Sequence, residues 1–182
     1  AHGNSFNFLK RNEEAQQLAT QILTANRFSA EAYDIMAEAQ SQLENSDAAI
    51  ESIKNAIKIS PYSLQRHLSA CDIAKNNGDY ALLTEASLSI WQLSKRTVHQ
   101  DVSHWCNYLR SILDAAEHAG DKSAKNRYQQ EALLLVQRGK YDDSLARYGD
   151  RFDFAIYEDL VHARIPALDG KMPDTTRQVR AL

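Results

Sequence analysis

A period of about 34 residues runs through the first half of the sequence and restricts its fold more than any other feature. Residues that share a ring, an apolar side chain or a small size recur at this interval in five columns. The columns are Tyr33 and His67; Met36 and Ala70; Gly3, Ala37 and Cys71; Ala15, Ala49 and Leu83; and Ile22, Ala56 and Ile90. A period of about 20 to 50 residues is typical of repeat proteins, in which each unit completes its core by stacking on its neighbours.

Spacing within each unit predicts helices. Apolar residues three and four positions apart form one stripe on each of two helices, and the two stripes are expected to face each other. Three prolines and six glycines in 182 residues leave room for long helices. The sequence therefore predicts an all-α fold.

Capping residues predict where several of these helices begin. Asn12 is followed by two glutamates, and Ser46-Asp47 and Gly78-Asp79 repeat the signal. Past residue 95 the period fails, and further helices are predicted at 98–118, 123–138 and about 151–165. The last of them is expected to bury Phe154, Tyr157, Leu160 and Val161. We expect a loop at 167–174 and the start of another helix in the last eight residues.

The central unit, residues 30–63, resembles the tetratricopeptide repeat. The matching residues are Tyr33, Met36, Ala37 and Gln40 in its first half, and Ala49, Ile53, Ala56 and Pro61 in its second. The family has glycine, tyrosine and phenylalanine where this unit has Ala37, Gln40 and Ile53. The resemblance implies antiparallel helical hairpins stacked in a right-handed superhelix over residues 1–95, with a truncated first unit. Residues 96–182 would form a divergent helical cap that continues the array.

A second, narrower resemblance rests on the segment 59–66, which begins Ile59-Ser60-Pro61, and on Gly78-Asp79. It is similar to the output region of bacterial response regulators in which a receiver domain precedes tetratricopeptide repeats, although Ala70-Cys71 replaces Leu-Gly. This resemblance implies a non-catalytic signalling adaptor with a receiver upstream. Cys71 and Cys106 are too few for a disulfide framework. They favour the cytoplasm and leave a periplasmic protein with free thiols open.

The resemblance to tetratricopeptide repeats also implies a groove that binds a protein or a peptide. Nine residues are expected on it: Asn4, Asn7, Glu31, Asp34, Glu38, Gln65, Leu68, Asp72 and Lys75. The acids Glu31, Asp34 and Glu38 span two turns of one helix face and favour a basic or amide-rich partner. The alternative is an acidic face that only keeps the protein solvated.

Other chemistries are disfavoured by the sequence. It has no glycine-rich phosphate loop and no nucleophile elbow, so we expect no enzyme, no catalytic residue and no cofactor. His99 and His104 are too far apart on a helix to share a metal ion, and His67 is expected to be a packing residue. A net charge of −3 disfavours nucleic acid, and no apolar stretch has membrane-spanning length. The remaining alternatives are a constitutive homodimer and a nucleic-acid-linked regulator.

Overall fold

A computed structural model describes residues 2–95, 97, 101–146, 148 and 153–165, with side chains from Lys10 onward. All regular structure in these ranges is helical, which confirms the predicted all-α class. The helices are α1 His2–Ala25, α2 Ala30–Gln42, α3 Ser46–Ile59, α4 Leu64–Asn77, α5 Tyr80–Ser94, α6 Val102–Glu117, α7 Lys122–Gly139, α8 Asp143–Ala146 and α9 Phe154–Arg164. They belong to two compact units, Ala1–Leu93 and Ser94–Leu182. The division lies close to the predicted boundary after residue 95.

The helix starts of unit 1 follow the period of the sequence. Helix α4 begins one period after α2, and α5 begins one period after α3. Ser29 Oγ accepts a hydrogen bond from Ala32 N at the start of α2, and Ser63 Oγ accepts one from Arg66 N at the start of α4. Each serine thereby satisfies one of the amide groups that a helix N-terminus leaves unpaired.

Helices α3 and α5 begin at residues 46 and 80, close to the predicted signals. The predicted cap Ser46 is the first residue of α3, and the cap is Asn45, which makes no side-chain capping hydrogen bond. Asp47 lies in the first turn of α3, and Asp79 Oδ1 accepts a hydrogen bond from Leu82 N at the start of α5. Gly78 ends α4 with φ +68°, a left-handed conformation that is strained for residues with a Cβ atom. Gly78 avoids this strain where α4 turns into α5, whereas Glu44 adopts φ +59° at the equivalent position one period earlier.

The core of unit 1 includes seven residues of the predicted columns and five others. Its buried residues are Ala37, Ala49, Ile53, Ala56, Ala70, Cys71, Ile73, Ala74, Leu82, Leu83, Ala86 and Ile90. Half of them are alanine, so neighbouring helix backbones can approach closely. The three residues between α2 and α3 make these packed helices a hairpin, and α3 packs on α4 as well.

The predicted helix start at Asn12 is wrong. Helix α1 runs from His2 to Ala25 without interruption, and Asn12 lies in its middle. The Nδ2 atom of Asn12 is buried and has no hydrogen-bond partner among the described atoms. A capping residue is only a local signal, and a helix begins at it only when the chain also turns at that point.

Unit 2 is built on the α6–α7 pair, against which α9 packs. Trp105 of α6 is 1% exposed and meets the rings of Phe154 and Tyr157 edge to face, at centroid distances of 5.9 and 5.2 Å. At the other end of α9, Gln129 Nε2 donates a hydrogen bond to Ile165 O over 2.7 Å. Aromatic contacts and a buried hydrogen bond thus hold both ends of α9.

The predicted helix bounds in unit 2 need correction. Helix α6 begins at Val102, because Asp101 accepts a hydrogen bond from Ser103 N, and the predicted residues 98–100 lie outside the described ones. Helix α9 likewise begins at Phe154, after its cap Asp153. The predicted loop at 167–174 and the final helix start lie outside the described residues.

The burial predicted for α9 is only partly correct. Val161 is fully buried, and Phe154 and Tyr157 are half-buried against Trp105. Leu160 was expected inside but is 40% exposed. Adjacent positions on a helix point about 100° apart, so burial of Val161 does not require burial of Leu160.

Candidate partner-binding surface

Arg66 joins the first turns of α2 and α4. Its Nε and Nη2 atoms donate to the two carboxylate oxygens of Asp34 over 2.8 and 2.7 Å, and its Nη1 donates to Ser60 O over 3.3 Å. A second acid of α2, Glu31, lies 4.0 Å from Nη2. These contacts bring the N-terminal ends of α2 and α4 to the same end of unit 1.

The pairing changes the charge predicted for this face. Arg66 is only 7% exposed, and its hydrogen bonds with Asp34 raise its pKa above the ordinary arginine value. Two-pronged contacts between guanidinium and carboxylate are strong and directional. Asp34, predicted as a groove acid, is therefore already neutralised within the protein, and the acids that α2 presents are Glu31 and Glu38.

The exposed strip of α2 combines these acids with an apolar residue. Glu31 is 81% exposed, Ile35 is 37% exposed, and Glu38 is exposed one turn further along. Gln42 Nε2 donates to Glu38 Oε1 over 3.0 Å. Residues at these intervals share one side of a helix, so α2 presents an aliphatic side chain between two carboxylates.

Helix α4 presents a similar strip at the predicted positions. Gln65, Leu68, Asp72 and Lys75 are all exposed, with Leu68 at 37%. Because Arg66 holds α4 beside α2, the two strips belong to neighbouring helices. We call the exposed residues of α2 and α4 together the α2–α4 surface: Glu31, Ile35, Glu38, Gln65, Leu68, Asp72 and Lys75.

Two predicted groove residues, Asn4 and Asn7, lie in α1. Their side chains are outside the described ones, so their part in the surface stays a prediction.

Sequence reasoning missed Ile35 and two exposed rings, Phe28 and Tyr62. A usable signal existed for the rings, because they occupy one column of the repeat and each precedes a capping serine. It also missed the role of Arg66, for which no local signal exists. Arg66 and Asp34 are separated by 32 residues, and only the stacking of α4 on α2 brings them together.

His67 and the two cysteines each lie close to a polar atom of a neighbouring residue. His67 is 5% exposed, and its Nε2 lies 2.8 Å from Pro61 O, so Nε2 carries the hydrogen of this bond. Burial raises the pKa of the Cys71 thiol, whose Sγ lies 3.5 Å from Ser87 Oγ. Cys106 Sγ lies 3.5 Å from the Tyr157 hydroxyl. No group of three or more acids, histidines or cysteines among the described residues could hold a metal ion.

Other histidines and aromatic residues differ in their contacts and their burial. His104 Nδ1 lies 2.9 Å from Ser94 Oγ, and His99 is outside the described residues. Trp91 is buried, whereas Tyr141 is 81% exposed.

Unit 2 contains an open polar pocket of about 570 Å³. Its lining residues are Lys95, Arg138, Tyr141, Asp142, Asp143 and Ser144. Lys95 Nζ lies 3.5 Å from Asp142 Oδ2, and Ser144 donates to the same carboxylate from its backbone and hydroxyl groups. Two basic and two acidic side chains balance one another there, so the pocket has no charge preference that selects a ligand.

Among the helices that the structure describes, none combines the length and the apolar content needed to cross a bilayer. Searches for related proteins gave no match, neither to a family model nor to a curated protein sequence.

Proposed function

We propose that this chain is a protein-interaction module that holds a basic or amide-rich segment of a partner protein on the α2–α4 surface. The observation that carries the proposal is the pairing of two exposed strips on neighbouring helices, each with an aliphatic side chain beside carboxylates. Ile35 and Leu68 offer apolar contact area. The exposed acids Glu31, Glu38 and Asp72 outnumber Lys75, the one basic residue of this surface. An excess of negative charge around a small apolar centre favours a partner of the opposite sign.

The scaffold suits this role because its helices are already ordered. Arg66 fixes α2 against α4 through three hydrogen bonds to Asp34, and a fourth, to Ser60 O, joins it to the end of α3. A partner that binds a preformed surface loses less conformational entropy than one that must order both sides. The matching starts of α2 with α4 and of α3 with α5 support a tetratricopeptide-type array as the finer architecture of unit 1.

The biological setting that we propose is signalling in the bacterial cytoplasm, with this chain as the output part of a response regulator. The support is the resemblance of residues 59–66 and of Gly78-Asp79 to that group. The reading frame that encodes the chain tests this setting. We expect a receiver domain upstream, with clustered acids and a lysine, and a frame without one would contradict the signalling role.

The binding surface is tested by reversing its charge. We expect a Glu38→Lys, Asp72→Lys double variant to lose at least about tenfold in affinity for a partner captured by the parent chain, because two attractive contacts become repulsive. The affinity is measured by titrating the purified partner. Both side chains are exposed, so the circular dichroism melt of the variant should match that of the parent.

A Glu51→Lys, Glu85→Lys double variant is the matched control. It makes the same change in net charge on exposed positions of α3 and α5. If this control weakens binding as much as the first variant, the partner responds to overall charge and the α2–α4 surface is not the binding site.

A second candidate function, self-association, is favoured by the outer side of α9. Ile156 is 64% exposed and Leu160 40% exposed, and exposed Ala163 continues the same face. Apolar residues four and three positions apart form a stripe that helix pairs commonly use. Native mass measured at several concentrations tests it, with Ile156→Lys expected to abolish any dimer.

A further inference from the structure

Two turns of unit 1 expose an aromatic ring at equivalent positions. Phe28 is 65% exposed and Tyr62 is 84% exposed. They are one repeat period apart, and each stands directly before the serine that caps the next helix. A single exposed ring is ordinary on a protein surface, but a repeat of the exposure at the same register is a property of the repeat edge.

Both rings lie at the end of unit 1 where the α2–α4 surface begins. Phe28 precedes α2 and Tyr62 precedes α4, and the first turns of these helices meet where Arg66 Nη2 lies 4.0 Å from Glu31. Glu31 comes shortly after Phe28 in the chain and is 81% exposed. An exposed carboxylate therefore accompanies the two rings at this end.

The two turns differ in what covers the ring. Arg27 places its guanidinium carbon 4.8 Å from the centre of the Phe28 ring, which is the geometry of a cation–π contact. The residue that corresponds to Arg27 in the next unit is Pro61, which has no charge. The turn at Tyr62 therefore repeats the ring and the capping serine of the first turn. The guanidinium that contacts this turn, that of Arg66, bonds Ser60 O and Asp34.

We propose that the Tyr62 ring binds an arginine side chain of the partner protein, in the position that Arg27 occupies on Phe28. This inference rests on the proposed function, because it names one anchor of the segment held on the α2–α4 surface. Residues 1–93 contain eleven acidic and seven basic side chains, so unit 1 attracts a basic segment. Arginine is the favoured cation because its planar guanidinium stacks on a ring, whereas the lysine ammonium is a compact, strongly hydrated charge.

The test uses the whole chain and a fluorescein-labelled Gly/Ser peptide that carries four arginines. Two matched peptides replace every arginine by lysine or by uncharged citrulline. We expect binding in the order arginine, lysine, citrulline, measured by fluorescence anisotropy. Tyr62→Ala should weaken binding of the arginine peptide about three- to fivefold, and Tyr62→Phe should preserve it, because the ring is retained.

Tyr141→Ala is the control for loss of an exposed tyrosine, because Tyr141 of unit 2 is exposed to a similar extent, 81%. It should leave the affinity unchanged. Tyr62 is almost fully exposed, so its removal should not alter the circular dichroism melt.

The outcomes separate this inference from the proposed function. If Tyr62→Ala binds like the parent while Glu38→Lys, Asp72→Lys loses binding, the arginine site is overturned and the α2–α4 surface stands. If Tyr62→Ala loses binding and the charge-reversed variant does not, the arginine site stands and the wider surface is wrong. A parent chain that fails to bind the arginine peptide at millimolar concentration overturns the arginine site.

Discussion

At the scale of single residues, Arg66 does more for unit 1 than any groove residue predicted from the sequence. Its side chain is 7% exposed and binds Asp34 with two nitrogens, so it converts a predicted recognition acid into a structural one. Arg66 thereby joins α2 to α4 and leaves Glu31 and Glu38 as the exposed acids of α2.

Replacing Arg66 should therefore reduce stability. We expect Arg66→Lys to lower the free energy of unfolding by about 1–2 kcal/mol, because an ammonium group cannot reproduce the two-pronged contact with Asp34. Urea denaturation measures the coupling between the two residues when four proteins are compared: the parent, Arg66→Lys, Asp34→Asn and the double variant. If the losses in unfolding free energy of the two single variants add up to that of the double variant, a direct interaction is contradicted.

Asp142 provides a prediction about pH. Burial acts to raise its pKa, but hydrogen bonds from Ser144 and the charge of Lys95 outweigh burial and lower the pKa below the ordinary aspartate value. Because the pKa of Asp142 is lower in the folded than in the unfolded protein, its charge stabilises the fold at pH values above the unfolded pKa of about 3.9. This stabilisation is lost as the pH falls through the folded pKa.

We therefore expect Asp142→Asn to be less stable than the parent at pH 6, and the difference to shrink below about pH 4. Urea denaturation at both pH values measures it. Asp143→Asn, at the exposed neighbour, controls for the change in net charge. A difference between parent and Asp142→Asn that does not vary with pH would show that the carboxylate charge plays no part.

At the scale of helices, the packing of α9 depends on Gly139, the last residue of α7, which has no side chain. A Cβ atom on Gly139 would lie 2.6 Å from Phe154 Cε1 and 3.3 Å from Trp105 Cζ2. The first distance is too short for two carbon atoms, so the Phe154 ring would have to shift, and it packs on Trp105, which is buried. Gly139 is thus what allows the rings of α9 to reach α6.

We expect Gly139→Ala to lower the free energy of unfolding by about 1–3 kcal/mol, although alanine is the better helix former. Gly120→Ala is the control, because no atom lies within 4 Å of its added Cβ, and its stability should match the parent within about 0.5 kcal/mol. Thermal melts of both variants measure the effect. If Gly139→Ala were the more stable of the two, the close packing of α9 on α7 would be refuted.

At the scale of the whole molecule, unit 1 has a core of its own. Its twelve clustered core residues all lie between Ala37 and Ile90, within the first compact unit. Unit 1 also contains every described residue of the α2–α4 surface. Binding and folding of this unit can therefore be studied together.

We expect a fragment of residues 1–93 to unfold cooperatively, because its twelve clustered core residues all lie within it. Within this fragment, Ile53→Ala should cost about 2–5 kcal/mol, because Ile53 is 1% exposed and its truncation leaves a cavity. Circular dichroism melts measure the cooperativity of unfolding, and urea titrations measure the loss in unfolding free energy. A fragment that loses helix gradually on heating would mean that unit 1 needs further residues to fold.

The sequence by itself determined the helical class, the repeat spacing and several helix starts, because these depend on interactions among neighbouring residues. An aspartate three residues before an amide, as at Asp79, or apolar residues three and four apart, act within one helix and can be read locally. The exposed positions of α2 and α4 were predicted for the same reason, since each lies opposite a buried column.

Only the tertiary structure decided which partner each side chain meets. The continuity of α1 through Asn12, the pairing of Arg66 with Asp34 and the exposure of Leu160 depend on what packs against each helix. Such contacts join residues far apart in the chain, and no periodic or capping signal records them. The physical reason is that folding selects among helix faces by the total area and polarity buried, which is a property of the packed molecule.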